Sequence, residues 1–395
     1  MSIALDNSGV ARRMGDIQPF YVMDILARAR ELEAQGRSII HMEIGEPDFL
    51  TPQPIIEAGI QAIGTGAMHY TPAMGLPSLR AAISNFYRER YAVDVPSSRI
   101  IVTPGSSGAL LLTMGVLINP GDEVLMADPG YPCNRHFVRF TEGRAVGIPV
   151  DAFTGYQLTP ELIERYWTPQ TRAVMLASPS NPTGTLVSEE TLRAIAQLVR
   201  ERGGKLIVDE IYHGLVYEDT AVTALAHSEE LFVINSFSKY FGMTGWRLGW
   251  LVAPQSYVSA IDRLAQNIFL APSTPAQHAA LAAFHPETLA ILEDRRQQFK
   301  ARRDYLLPAL RELGFDIPIT PQGAFYLYAG CKRFTHDSFA FARDLLEQIG
   351  VAITPGIDFG VHLPQQHVRF AYTTSLDNLK IGIQRLRQFG IGAAP

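Results

Sequence analysis

A chain of 395 residues is longer than one compact core usually holds and predicts a large domain with a smaller one beside it. Its 47% hydrophobic and 18% charged residues are ordinary for a globular protein, and a net charge of −5 leaves no basic excess to neutralise a polyphosphate backbone, which argues against nucleic acid as a partner. Two cysteines, Cys133 and Cys331, are too few for a disulfide framework and lack metal-ligand spacing, so the sequence predicts a reducing, cytoplasmic setting and no metal site.

Met1 to Asp16 mixes charges with small residues and has no apolar stretch of the kind a secretory signal carries. Val22, Ile25, Leu26, Ala29 and Leu32 then recur at helical spacing, and Gly36 follows as a stop, predicting an amphipathic helix. Ile39 to Ile44 reads as a short strand that ends in the turn-rich Gly45-Glu46-Pro47-Asp48. A loop over Met68–Gly75 leads to a helix with Leu79, Ile83, Phe86 and Tyr87 on one face. The longest apolar run, Ala109 to Ile118, is too short to cross a bilayer.

From about Arg99 short apolar runs alternate with helices, which is the pattern of a mainly parallel sheet. The predicted strands are Ile100–Thr103, Glu123–Ala127, Ala173–Ala177, Lys205–Val208, Leu231–Ile234 and Leu248–Val252. Ser188 should cap a helix whose first turn holds Glu189 and Glu190, where the helix dipole favours negative charge. Beyond about Pro286 the composition shifts. Glu293 to Arg303 is highly charged and predicts a solvated connecting helix. Mixed elements follow: Gly323 to Tyr328, a helix near Ser338–Ile349, the strand Val368–Ala371 and a closing helix. The expected division is a large domain over residues 50–285, with residues 1–49 and 286–395 forming the smaller α+β one.

Open α/β sheets carry their chemistry just past the carboxyl ends of their strands. Here the first predicted strand of the sheet is followed by Gly105, Ser106 and Ser107 opening a helix, whose amides and hydroxyls suit an anion. The next is followed by Tyr131, and Ala173–Ala177 by Asn181 between two prolines, a segment that simple turn chemistry also explains. Asp209 continues an apolar strand and is costly to bury unless a cation or a hydrogen-bond donor meets it, and a structural ion pair is one reading that stays open. Tyr212 follows it. After Leu231–Ile234 come Ser236, Ser238, Lys239 and, eight positions past the lysine, Arg247. One ligand uses all of these groups: pyridoxal 5′-phosphate. Its aldehyde takes a lysine as a Schiff base, its pyridine nitrogen a carboxylate, its ring a stacking partner, and its phosphate an arginine with hydroxyls and amides.

From about residue 12 to its C-terminus the chain resembles the fold-type I pyridoxal-phosphate enzymes of the class I/II aminotransferase superfamily, near the aspartate aminotransferase branch. The run Ser236-Phe237-Ser238-Lys239, Gly242-Met243, Gly245-Trp246-Arg247-Leu248-Gly249 carries the resemblance. It implies an α/β fold whose large domain holds a mainly parallel seven-stranded sheet between helices. It also implies an aminotransferase working by a ping-pong mechanism, in which Lys239 binds the cofactor and then moves the substrate proton. Asp209 would meet the pyridine nitrogen, and Tyr212 and Asn181 the phenolic oxygen. Ser106, Ser107, Ser236, Ser238 and Arg247 would hold the phosphate, and Tyr131 would stack on the ring. Tyr70 would reach the phosphate of a neighbouring subunit in a homodimer. Gly45 and Arg369 would take the substrate α-carboxylate, with Asn181 counted among the substrate-binding residues as well. By strand alternation Arg369 shares a face with neither Val368 nor Phe370, which fits a surface arginine equally well.

The same cofactor shell also suits a carbon–sulfur β-lyase. Gln266 and Asn267 stand where dicarboxylate-specific enzymes carry a second arginine, so strict aspartate specificity is not expected. Phe20 and Tyr21 either line a side-chain pocket for apolar or aromatic substrates or pack against the helix that follows them.

Overall fold

The computed structural model describes residues 9–218 and 221–392. Residues 1–8, which carry half of the segment judged not to be a secretory signal, lie outside the described residues, as do 393–395. Among the described residues no helix is long and apolar enough to cross a membrane.

The chain enters through the helix Tyr21–Ala34, which buries Val22, Ile25, Leu26, Ala29 and Leu32 as their spacing predicts. A short strand, β1 (Ile40–Met42), follows. Seven strands then build the large sheet: β2 (Ile100–Thr103), β3 (Glu123–Asp128), β4 (Arg144–Pro149), β5 (Thr171–Ala177), β6 (Lys205–Asp209), β7 (Phe232–Ser236) and β8 (Gly249–Val252). Their order is β2-β8-β7-β6-β5-β3-β4, and only β8 runs against its neighbours. Both faces are covered, so successive residues enter different cores. Phe232 and Ile234 pack with Leu110 and Leu112 of the helix Gly105–Leu117, whereas Val233 joins Leu206 and Val208 on the opposite side.

A second sheet is made by β9 (Tyr326–Gly330), β10 (Val351–Pro355) and β11 (His367–Ala371), in the order β1-β10-β11-β9. β1 pairs parallel to β10, so the N-terminal segment completes a sheet otherwise built from the last seventy residues or so of the chain.

Two expectations need correction. β4 was not foreseen; it is an edge strand whose residues are mostly part-exposed, so no apolar run announces it. The charged stretch Glu293–Arg303 lies in the long helix Pro286–Glu312, but that helix is not simply solvated. Arg302 and Arg303 are buried. The Arg302 fork grips both carboxylate oxygens of Asp48 at 2.7 and 3.0 Å, and Arg303 pairs with Glu218 and donates to the Pro321 carbonyl at 2.7 Å. These pairs stitch the helix to the Gly45–Asp48 turn and to the loop before β9.

Candidate active site

The carboxyl ends of β2, β3, β5, β6 and β7 open into a cavity of about 230 Å³. Its wall includes Gly45, Ser106, Ser107, Tyr131, Asn181, Asp209, Tyr212, Ser236, Ser238, Lys239, Arg247 and Arg369. These residues come from five strand ends, the turn after β1, and β11 of the second sheet, and the fold brings them together. Gly105 lies just behind the wall. It has φ +69°, and a side chain there would meet the Arg247 guanidinium at 2.8 Å, so the helix start and the arginine sit as close as backbone allows. Tyr70 is not in this group. It is 83% exposed and does not line the cavity.

Lys239 follows β7 by three residues and donates from Nζ to the Gly45 carbonyl at 2.7 Å. Burial, with the nearby Arg369 and Arg247 charges, lowers its pKa to about 8, against a partial opposing pull from Glu46 and Asp209. Asp209 ends β6 and is buried. Its carboxylate accepts one hydrogen bond, from the Ile211 amide at 3.1 Å, and among the described residues it has no ion-pair partner. Burial raises it to about 7. Among the described residues the structural ion pair left open by the sequence is not formed: the carboxylate faces the cavity, and the Lys239 charge acts on it only from beyond contact distance.

Around the serines the backbone is tied down locally. Ser236 Oγ accepts the Ser238 amide at 3.0 Å, Thr244 donates to the Ser238 carbonyl at 2.9 Å, and Arg247 donates to the Thr244 carbonyl at 3.1 Å. The turn Gly242–Arg247 thus folds back over the lysine loop, and among the described residues the rest of the Arg247 fork makes no hydrogen bond.

Arg369 is a buried residue, not a surface one. Nη1 donates to Asn181 Oδ1 at 2.8 Å and Nη2 to the Glu43 carbonyl at 2.6 Å and to Thr354 Oγ1 at 3.2 Å, while Nε is buried with no partner among the described residues. Its guanidinium lies 4.3 Å from the Tyr326 ring centroid and 5.0 Å from that of Phe359.

Tyr326 itself was missed from sequence. Its hydroxyl is 2.8 Å from that of Tyr212, and a side chain on Gly45 would collide with it. Phe20 lines the cavity and meets Tyr131 edge-on, with centroids 6.5 Å apart, but Tyr21 does not line it and packs on Phe339 instead. Gln266 and Asn267 are exposed on the helix Gln255–Ile268 and bond only within it.

Comparison with known proteins gives the family of the chain. The family model described as aminotransferase class I and II matches residues 37–386. The chain is 38% identical to the (5-formylfuran-3-yl)methyl phosphate transaminase of Methanocaldococcus jannaschii, over 96% of this chain and 99% of that protein. It is also 38% identical to the valine–pyruvate aminotransferase of Mycobacterium tuberculosis, over 95% and 97%. Among solved structures, an aminotransferase from Mycobacterium tuberculosis superposes with a TM-score of 0.94 at 38% identity, covering 96% of this chain and 98% of the other.

Proposed function

This chain belongs to the class I and II aminotransferases and is an aminotransferase, and we propose that it works with pyridoxal 5′-phosphate held at the strand ends described above, passing an amino group from an L-amino acid to a 2-oxo acid in two half-reactions. The observation that carries the reading is Asp209, a buried carboxylate with no contact ion pair among the described residues, in the same cavity as Lys239 and Arg369. A protonated pyridine nitrogen is the partner it lacks.

The rest of the donor set fits the same group. Ser106, Ser107, Ser236, Ser238, Arg247 and the amides of the helix start at Gly105 would hold the phosphate. Tyr212 and Asn181 would face the phenolic oxygen, and Tyr131 the ring. When bound, the cofactor supplies an aldehyde that captures amines and a cationic ring that withdraws electrons. Arg369 and the Gly45 backbone would fix the substrate carboxylate, and with it the orientation of Cα. Lys239 Nζ would take the proton from Cα and return it on the other side of the transferred nitrogen. Its lowered pKa keeps a large fraction neutral and basic near pH 8.

The division into domains at residues 50 and 285 is part of the proposal and is supported by the pairing of β1 with β10. So is a homodimer in which Tyr70 reaches the neighbouring subunit's phosphate, supported by the exposure of Tyr70 and of Met68 and Leu270 on adjoining loops. Two unpaired cysteines support a cytoplasmic location. For the side chain of the substrate we favour uncharged groups: Phe20, Val22, Ile44 and Leu110 face the cavity, and its two arginines are assigned to the phosphate and the α-carboxylate.

The test is a half-reaction. Mixed with a single amino acid and no acceptor, the loaded enzyme should lose its visible absorption and release a stoichiometric amount of 2-oxo acid. Release of ammonia with pyruvate instead would contradict amino transfer, and acceptance of acidic donors alone would contradict the side-chain assignment.

A further inference from the structure

Tyr326 stands between the two halves of the site. Its position follows from strand register: Arg369 on β11 is paired with Tyr328 on β9, and Tyr326, two residues along β9, shares that face at the diagonal position. The ring lies 4.3 Å from the Arg369 guanidinium. At its far end the hydroxyl is 2.8 Å from Tyr212, and it fills the space that a Cβ on Gly45 would need. One side chain therefore touches the arginine and the glycine assigned to the substrate carboxylate and the tyrosine assigned to the cofactor.

We propose that Tyr326 is a positioning residue with two separable parts: a hydroxyl that strengthens Tyr212 as a donor, and a ring that seats Arg369. This rests on the reading of the site given above. The first part follows from proton counting. Each phenol has one proton to donate. If Tyr212 gives its proton to the phenolic oxygen, the proton between the two tyrosines must come from Tyr326. A hydroxyl that accepts a hydrogen bond becomes a better donor, so the Tyr326 proton reinforces the bond Tyr212 makes. The second part follows from the burial of Arg369. Its guanidinium donates from Nη1 to Asn181 and from Nη2 to Glu43 and Thr354, Nε is unpaired among the described residues, and the Tyr326 ring is the nearer of the two aromatic rings that seat it, 4.3 Å away against 5.0 Å for Phe359.

Two variants separate the parts. Tyr326→Phe removes only the hydroxyl. The pH midpoint of the bound cofactor's visible absorption should then move up by about one unit, because a weaker Tyr212 bond stabilises the phenolate less. Its KM for amino acids should stay near that of the unaltered enzyme. Tyr326→Leu removes the ring as well, and KM should rise by about tenfold while kcat changes less. Tyr328→Phe, the neighbouring tyrosine on the same face, should leave the midpoint in place. A Tyr326→Phe protein that takes up the cofactor with an unchanged midpoint overturns the hydroxyl's part. An unchanged KM in Tyr326→Leu overturns the ring's part. Failure of the unaltered protein to take up the cofactor would overturn the underlying reading itself, so the two failures are distinguishable.

Discussion

Arg369 Nη1 and Asn181 Oδ1 lie 2.8 Å apart, and this bond joins β11 of the second sheet to the loop that follows β5 of the first. The residue assigned to the substrate is thus aimed by a residue assigned to the cofactor. Arg369→Lys should lose the planar fork that makes this bond and the one to Glu43 together, and a point charge cannot replace it. We expect kcat/KM for amino acids to fall at least about a hundredfold, most of it in KM, with cofactor content unchanged. Equal kinetics in the lysine variant would remove Arg369 from the carboxylate site.

Asp209 gives a prediction in which stability and activity move in opposite directions. In the cofactor-free protein its pKa is raised from 3.8 to about 7 by burial. Between those values the unfolded chain is ionised while the folded one keeps its proton, so stability falls as pH rises from about 4 to about 7. Asp209→Asn should remove this dependence and be the more stable protein at pH 8, by an amount on the order of 4 kcal/mol at most. Loaded with cofactor, the same variant should lose most of its turnover. Urea denaturation of both cofactor-free proteins at pH 5 and pH 8 checks the first half.

His41 predicts a slope of the same sign in a higher pH window. Its Nδ1 lies 2.7 Å from Oε1 of the buried Glu43, and that hydrogen bond raises the histidine to about 9. The stabilisation is complete below the ordinary histidine value of 6.5 and is lost as pH rises through about 9. His41→Gln should flatten the decline between pH 7 and pH 9.5, and differential scanning calorimetry across that range reads it.

The Arg302–Asp48 fork should matter to function as well as to stability, because Asp48 closes the turn that begins at Gly45. Arg302→Met removes the carboxylate's contact ion pair and takes a guanidinium off the Phe49 and Phe299 rings. A loss of about 2–3 kcal/mol is expected, with a raised KM. Normal KM alongside lowered stability would confine the pair to a structural role.

The strand ends were legible because Asp209, Asn181 and Lys239 each follow an apolar run, and the sheet topology brings those ends to one edge. Tyr326 was not legible in the same way. It faces Arg369 only through the pairing of β9 with β11, and that register is absent from a linear reading. The buried arginines were misread for a related reason. Arg302 and Arg303 look solvated in a charged run, yet their partners Asp48 and Glu218 lie 254 and 85 residues away. β4 was hidden because an edge strand need not be apolar.

The central claim is that Lys239 holds the cofactor, and trapping tests it most directly. The protein is incubated with pyridoxal 5′-phosphate, reduced with borohydride, digested and mapped by mass spectrometry. The lysine's pKa of about 8 further predicts that uptake before reduction quickens as pH rises through that value. A pyridoxyl group on Lys239, absent from the Lys239→Ala protein, is the predicted result. A label on another lysine, or none on an enzyme that still transfers amino groups, would contradict it.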